Sequence, residues 1–311
     1  MGQIRERRLE LGGFRTRALE LAGDADRPPL ILLHGWGDSA DCWRPLLPEL
    51  ERLGRHVIAF DMPGFGEAAR LDRERPVLTQ LDRFTAAAVR ELAESAGREV
   101  VVCGNSLGGC ASLRAAQRPE LPIAGIVPVA PAGLDMAQWF GIIESAPIVR
   151  ALLRAPVPLP ETVVREAVGR AYRQLAFTRP SAVEKTAVTS FTRHLSSRRD
   201  IVRVLATGRR LRPELGEDCF RLERIHCPVL VVWGDADKMV YSSGAERILR
   251  EIEGSRLEVI PSCGHCPQVE AAEKLALLLD DFPAATADAV ADAEAAYAPR
   301  AEPAGPKRSS S

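Results

Sequence analysis

Residues 99 to 109, Glu-Val-Val-Val-Cys-Gly-Asn-Ser-Leu-Gly-Gly, constrain this chain more than any other stretch. The β-branched run Val100 to Val102 enters a Gly-x-Ser-x-Gly turn, and the chain continues into the helix-compatible Cys110-Ala-Ser-Leu-Arg-Ala-Ala. The pattern is strand, sharp turn, helix. Such a turn lifts its serine clear of a sheet, and Gly104 and Gly108 are the residues that let strand and helix pass closely. Glycines around a serine also occur in phosphate loops and ordinary turns. A phosphate loop is disfavoured here because no lysine follows the second glycine. If Ser106 is a nucleophile, the chain must also supply a base to take its proton and a third group to orient that base.

At 311 residues the chain can bury a full core and carry a sizeable insertion, or form two domains. A 46% hydrophobic content with a mean hydropathy of -0.07 is that of a soluble globular protein. No apolar run approaches the roughly 20 residues of a membrane helix, and candidates such as Ile126 to Leu134 are broken by prolines. Met1 to Arg8 lacks the apolar core of a signal peptide, and Glu6 stands where a myristoylation motif wants Ser or Thr. Seven cysteines, several in runs expected to be buried, point to reduced thiols and a cytoplasmic location. A net charge of -1 gives no whole-chain attraction to nucleic acid.

In chain order, Ile4 to Leu11 and Phe14 to Leu21 alternate around Gly12-Gly13 and read as a hairpin. Leu30 to Leu33 is a continuous apolar run, as in a strand covered on both faces, and ends in His34-Gly-Trp-Gly-Asp-Ser. A helical stretch over about Ala40 to Leu53 precedes the strand Val57 to Asp61 and the turn Met62-Pro-Gly-Phe-Gly. A helix over about Leu78 to Ser95, the serine strand with its helix, and a strand from Ala124 follow. This alternation predicts an α/β fold, a mainly parallel sheet with helices on both faces. It lapses between Asp135 and Leu222, where proline-broken helical stretches predict an inserted helical cap. Strands return at Pro228 to Trp233 and Leu257 to Ile260, with helices near Ser243 to Ile252 and Gln268 to Phe282. The expected organisation is a core domain of residues 1–134 and 223–283, a cap of residues 135–222, and a disordered Ala-, Asp- and Glu-rich tail of residues 284–311.

Ligands of open parallel sheets bind at the carboxyl ends of strands, so the partners of Ser106 are sought there. His265, in Cys-Gly-His-Cys-Pro after the last strand, fits the chain order serine, acid, histidine. His34 precedes the serine beside a glycine-rich turn and suits a packing role. For the acid, Asp237 lies three residues past Gly234, far enough along its loop to point back at a histidine. Asp235 suits the turn itself, and Asp135 is the fallback.

With these motifs in order, the chain resembles the α/β-hydrolase superfamily over nearly all of its length except the tail. The nucleophile elbow corresponds to Gly104-Asn-Ser-Leu-Gly, the oxyanion loop to His34-Gly-Trp-Gly, the acid turn to Gly234-Asp-Ala-Asp and the histidine turn to Gly264-His-Cys-Pro-Gln-Val-Glu. The elbow is similar to those of cap-bearing carboxylesterases and of hydrolases that split C–C bonds of ring-cleavage products. Epoxide hydrolases and haloalkane dehalogenases normally use an aspartate there, against which Ser106 argues. The resemblance implies a two-step acyl transfer with Ser106 as nucleophile, His265 as base and Asp237 as its orienting acid. The backbone N–H groups of Trp36 and Leu107 would form the oxyanion hole.

Cys263 and Cys266 bracket His265 at a Cys-x-x-Cys spacing, but no second Cys or His pair stands at zinc spacing, so neither metal nor cofactor is expected. The basic surplus of residues 135–222 reads as a solvated helical face. Trp139 and Phe140, just beyond a strand end, are candidates to line the mouth of the pocket. The expected activity is that of a serine hydrolase acting on small to medium apolar esters, a carboxylesterase. A C–C bond hydrolase of a ketone substrate and a triad-retaining binding protein are the alternatives.

Overall fold

The computed structural model describes residues 4–136 and 160–282, apart from 182, 184 and 196. Eight strands form one sheet: β1 (Arg5–Leu11), β2 (Phe14–Leu21), β3 (Leu30–Leu33), β4 (Val57–Phe60), β5 (Val100–Asn105), β6 (Ile123–Val129), β7 (Leu230–Gly234) and β8 (Arg256–Ile260). Their spatial order is β1-β2-β4-β3-β5-β6-β7-β8. The β1–β2 and β2–β4 pairs are antiparallel, and every other pair is parallel. The exchange of β3 and β4 in this order puts β5, which carries the serine turn, in the interior of the sheet beside β3.

Successive side chains of the central strands enter different cores, as the twofold period of a strand requires. Ile31, Leu33, Ile58, Phe60, Val100 and Val102 pack on one face with α2 (Val77–Ala96), α3 (Leu107–Ala116) and α7 (Gly244–Glu251). Leu30, Leu32, Val57, Ala59, Val101 and Cys103 pack on the other with α1 (Leu47–Arg52) and α9 (Ala272–Asp281). Burial on both faces explains why these strands are written as unbroken apolar runs.

Two expected helices are divided. The stretch from Ala40 is a 3-10 turn, Ala40–Trp43, followed by α1. Pro48 has no N–H to bond back to Arg44, so it begins a helix and cannot continue one. The closing helix is α8 (Pro267–Glu270) and then α9, separated at Ala271, whose backbone angles of φ -142 and ψ 43 are not helical.

Between β6 and β7 the chain forms α4 (Glu161–Ala176), α5 (Lys185–Thr192) and α6 (Arg198–Leu211). A reciprocal capping box starts α6: the Ser197 side chain accepts from the Asp200 N–H, and the Asp200 carboxylate accepts from the Ser197 N–H. The end of this insertion is tied to the core by Glu214. Its two carboxylate oxygens accept the N–H groups of Val77 and Leu78 at 2.7 Å each, capping α2, whose own first residues offer no side-chain cap.

Candidate active site

Ser106 stands between β5 and α3 with φ 55 and ψ -112, a left-handed backbone that a residue with a side chain adopts only under constraint. The constraint is visible in its hydrogen bonds. Its N–H donates to the Val129 carbonyl, and its own carbonyl accepts from Cys110 and Ala132, at 2.9, 2.9 and 3.0 Å. The helix comes so close to the sheet that a Cβ on Gly104 would lie 2.1 Å from the Gly108 oxygen. One on Gly108 would lie 2.0 Å from the Leu33 oxygen. No side chain fits at either place, which is the physical content of the two motif glycines.

The acid loop after β7 and the histidine loop after β8 meet at the same end of the sheet. Asp237 Oδ2 lies 2.7 Å from His265 Nδ1, and both side chains are buried. Asp237 Oδ1 accepts the N–H groups of Met239 and Val240 at 2.7 and 3.1 Å, which fixes the carboxylate as an acceptor. It therefore accepts a hydrogen bond from the imidazole Nδ1–H, the tautomer that leaves a lone pair on Nε2. The other two acid candidates are engaged elsewhere. Asp235 accepts the Cys263 N–H at 3.3 Å, and Asp135 bonds the Ser243 hydroxyl.

The histidine loop is held on three sides. The His265 N–H donates to the Ala176 carbonyl at the end of α4, and its carbonyl accepts from Asn105 Nδ2, at 2.8 and 2.9 Å. Glu270 accepts the N–H of Gly264 at 2.7 Å and that of Thr178 at 2.8 Å, stapling the loop to the residues after α4. Asn105, next to the serine, also accepts from Gln268 at 3.2 Å, which joins β5 to α8.

The loop after β3 passes over the serine, where a Cβ on Gly35 would lie 3.3 Å from that of Ser106. His34 anchors this loop. It is fully buried, its Nδ1 bonds the Gly35 carbonyl at 2.7 Å, and its Nε2 accepts the Met62 N–H at 2.8 Å. Burial lowers its pKa to about 4, so the ring is neutral and can make both bonds. Leu107 opens α3, where a backbone N–H has no partner within the helix. Trp36 sends its indole N–H to the Val204 carbonyl of α6 at 3.2 Å, so its side chain braces the helical insertion.

Ser106 and His265 line one cavity of about 120 Å³. Its outer wall is the face of α4 carrying Val168, Ala171, Tyr172 and Leu175, with Phe191 from α5 and Val204 and Leu205 from α6. Among the described residues its lining includes no Lys or Arg, and Asp38 is its acidic member. The motifs assign no role to Asp38, Tyr172 or Glu270. The 3-4-7 spacing of the α4 face was the one available signal for Tyr172. Trp139 and Phe140 lie outside the described residues. Cys263 and Cys266 are buried free thiols, as are most of the other cysteines, and burial raises both above the ordinary thiol range. No group of three potential metal ligands occurs among the described residues. Nor, among them, is any helix long and apolar enough to cross a membrane.

A serine on a strained strand-to-helix turn, sharing a cavity with an acid-paired histidine at the carboxyl edge of a mainly parallel sheet, defines a hydrolase architecture of the α/β class. A profile of the alpha/beta hydrolase family matches residues 30–276, and the chain belongs to that family. It is 30% identical over 274 residues to the dihydrolipoyllysine-residue acetyltransferase component of the acetoin cleaving system of Pseudomonas putida, covering 86% of this chain and 66% of that protein. It is 27% identical over 271 residues to monoacylglycerol lipase abhd6-A of Xenopus laevis, covering 83% and 75%. It is 30% identical over 277 residues to 2-hydroxy-6-oxo-6-(2'-aminophenyl)hexa-2,4-dienoic acid hydrolase of Metapseudomonas resinovorans, covering 87% and 88%. Among solved structures, a serine hydrolase involved in carbazole degradation superposes with a TM-score of 0.70 at 26% identity, over 90% of this chain and 98% of that one. The relatives thus include hydrolases of lipid esters and of dienoic acids, and the protein is an enzyme of the hydrolase class.

Proposed function

We propose that the protein hydrolyses neutral carboxylic esters through an acyl-enzyme on Ser106. His265 Nε2 takes the serine proton as the hydroxyl attacks the ester carbonyl, then returns it to the departing alcohol. Asp237 holds the ring in the required tautomer and stabilises the imidazolium. The N–H groups of Trp36 and Leu107 receive the developing oxyanion, and water, activated by the same histidine, releases the acid. In this reading residues 1–134 and 223–283 are the core and residues 135–222 a cap whose α4, α5 and α6 close the acyl pocket.

The observation that carries the proposal is the buried Asp237–His265 pair at 2.7 Å, opening on the cavity that Ser106 also lines. The lining favours esters over the C–C alternative. A dienoic acid brings a carboxylate, which needs a cation or several donors once removed from water. The described lining instead offers apolar side chains and the acidic Asp38. A cavity of about 120 Å³ approaches the size that accepts a benzene ring, so short acyl chains or a single ring suit it. The test is a parallel assay of p-nitrophenyl esters of increasing acyl length and of a vinylogous diketone bearing a carboxylate. Ester turnover lost in Ser106→Ala, with the diketone inert, is the expected result. Faster cleavage of the diketone would replace esterase by C–C hydrolase.

A further inference from the structure

Asp38 sits in the cavity wall two residues past Trp36 and is only 6% exposed. Its Oδ1 accepts the Ser39 N–H at 2.8 Å. Its Oδ2 faces the Tyr172 hydroxyl at 3.5 Å, beyond the roughly 2.5–3.0 Å of an O–H···O bond, so neither group satisfies the other. The Tyr172 hydroxyl also bonds the Cys266 sulfur at 3.5 Å, an ordinary length for a bond to sulfur, in which either atom can be the donor. Burial raises this phenol well above its usual range, so it stays protonated and can donate. Its ring is fixed, stacked on Phe191 with centroids 3.7 Å apart and edge-on to Phe177.

A buried carboxyl and a partly buried phenol, almost but not quite bonded to each other, leave a place for a group that donates to one and accepts from the other. An alcohol hydroxyl does both. An ammonium can only donate, a carboxylate or ether can only accept, and a charged group would have to be buried among the apolar side chains of α4 and α6.

We propose that Asp38 and Tyr172 form a polar subsite that selects esters carrying a free hydroxyl on an otherwise apolar body. The proposal rests on the ester-hydrolase reading and narrows its substrate class. The hydroxyl can belong to the acyl part, as in an ω-hydroxyacyl ester, or to the alcohol part, as in a monoester of glycerol. The subsite reads the same chemistry in both.

The experiment compares kcat/KM within two pairs: p-nitrophenyl hexanoate against its ω-hydroxy analogue, and propyl hexanoate against glycerol monohexanoate. The wild type is expected to prefer the hydroxylated member of at least one pair by about tenfold or more, since an ester without the hydroxyl leaves the buried Asp38 Oδ2 with no close donor. The pair that shows the preference says which side of the ester faces Asp38. Tyr172→Phe, which keeps the stacked ring, and Asp38→Ala should each bring that ratio toward one. A merely structural role for either residue would lower both members of a pair alike and leave the ratio in place. Should Asp38→Ala fail to fold, Tyr172→Phe alone decides. Turnover of both members with a wild-type ratio near one in both pairs, or a ratio retained in the variants, overturns the subsite and leaves the esterase intact. No turnover of any of the four esters overturns the hydrolase reading and the subsite with it.

Discussion

Glu270 offers a sharp test of how the histidine is held. Its carboxylate receives two backbone donors, Gly264 at 2.7 Å and Thr178 at 2.8 Å, from two separate segments. Glu270→Gln keeps the size of the side chain but has one acceptor oxygen, so one of the two N–H groups must face an NH2 instead. Losing a hydrogen bond to a charged acceptor costs about 1.5–3 kcal/mol, and the half-buried position favours the lower end. The melting temperature should fall by roughly 2–5 °C, read in a thermal scan. Gly264 precedes His265, and a displacement of about 1 Å at a reacting group can cost about 100-fold, so kcat on p-nitrophenyl butyrate should fall roughly 10- to 100-fold with little change in KM. Glu270→Ala, which removes both acceptors, should be worse on both measures. A variant that is destabilised yet turns over within twofold of the wild type would show that the staple holds the fold without positioning the histidine. One with unchanged stability would refute the staple itself.

Burial raises the Asp38 carboxyl from 3.8 to about 7, with the nearby Asp41 and Asp61 adding to the rise against the opposing Ser39 N–H bond and the long approach of the Tyr172 hydroxyl. The folded protein therefore holds a proton between about pH 4 and 7 that the unfolded chain has released, so this group's contribution to stability declines as pH rises through that window and is level above it. Asp38→Asn should abolish up to about 4 kcal/mol of that decline, measured as the difference between wild-type and variant urea midpoints across the window; parallel curves would contradict it. Leu205→Ala, which enlarges the cavity wall, should move the preferred acyl chain longer by about two carbons, with kcat/KM rising about fourfold per added methylene up to the new limit. An unchanged chain-length profile would remove α6 from the acyl pocket. Cys263→Ser should retain activity, and a chelator should have no effect on the wild type; activity restored only by added metal would contradict both.

What could be read from the sequence was what is local. The hairpin around Gly12-Gly13, the two-faced strands and the Gly104-Asn-Ser-Leu-Gly turn are each written within a few neighbouring residues, because their backbone requirements are met there. The Asp237–His265 approach was inferable from the loops that follow β7 and β8, since both strands run parallel and end at the same edge. The clasps were not legible. Glu214 caps a helix 137 positions earlier, Glu270 joins segments 92 residues apart, and Tyr172 meets Asp38 across 134 residues. Apart from the helical spacing that puts Tyr172 on the apolar face of α4, nothing local distinguishes these from other polar residues. The division at Pro48 could have been anticipated from the missing N–H, and the apolar spacing from Ala40 onward concealed it.

Activation of Ser106 by His265 and Asp237 is open to covalent trapping. The folded protein is incubated with a fluorophosphonate, and the site and rate of modification are read by peptide mass spectrometry. The account predicts one adduct per chain, on Ser106, forming at least about 1,000-fold more slowly in His265→Ala and markedly more slowly in Asp237→Asn, with the double variant little worse than His265→Ala. Folded protein that takes no adduct at Ser106, or one whose labelling rate is indifferent to His265, would contradict it.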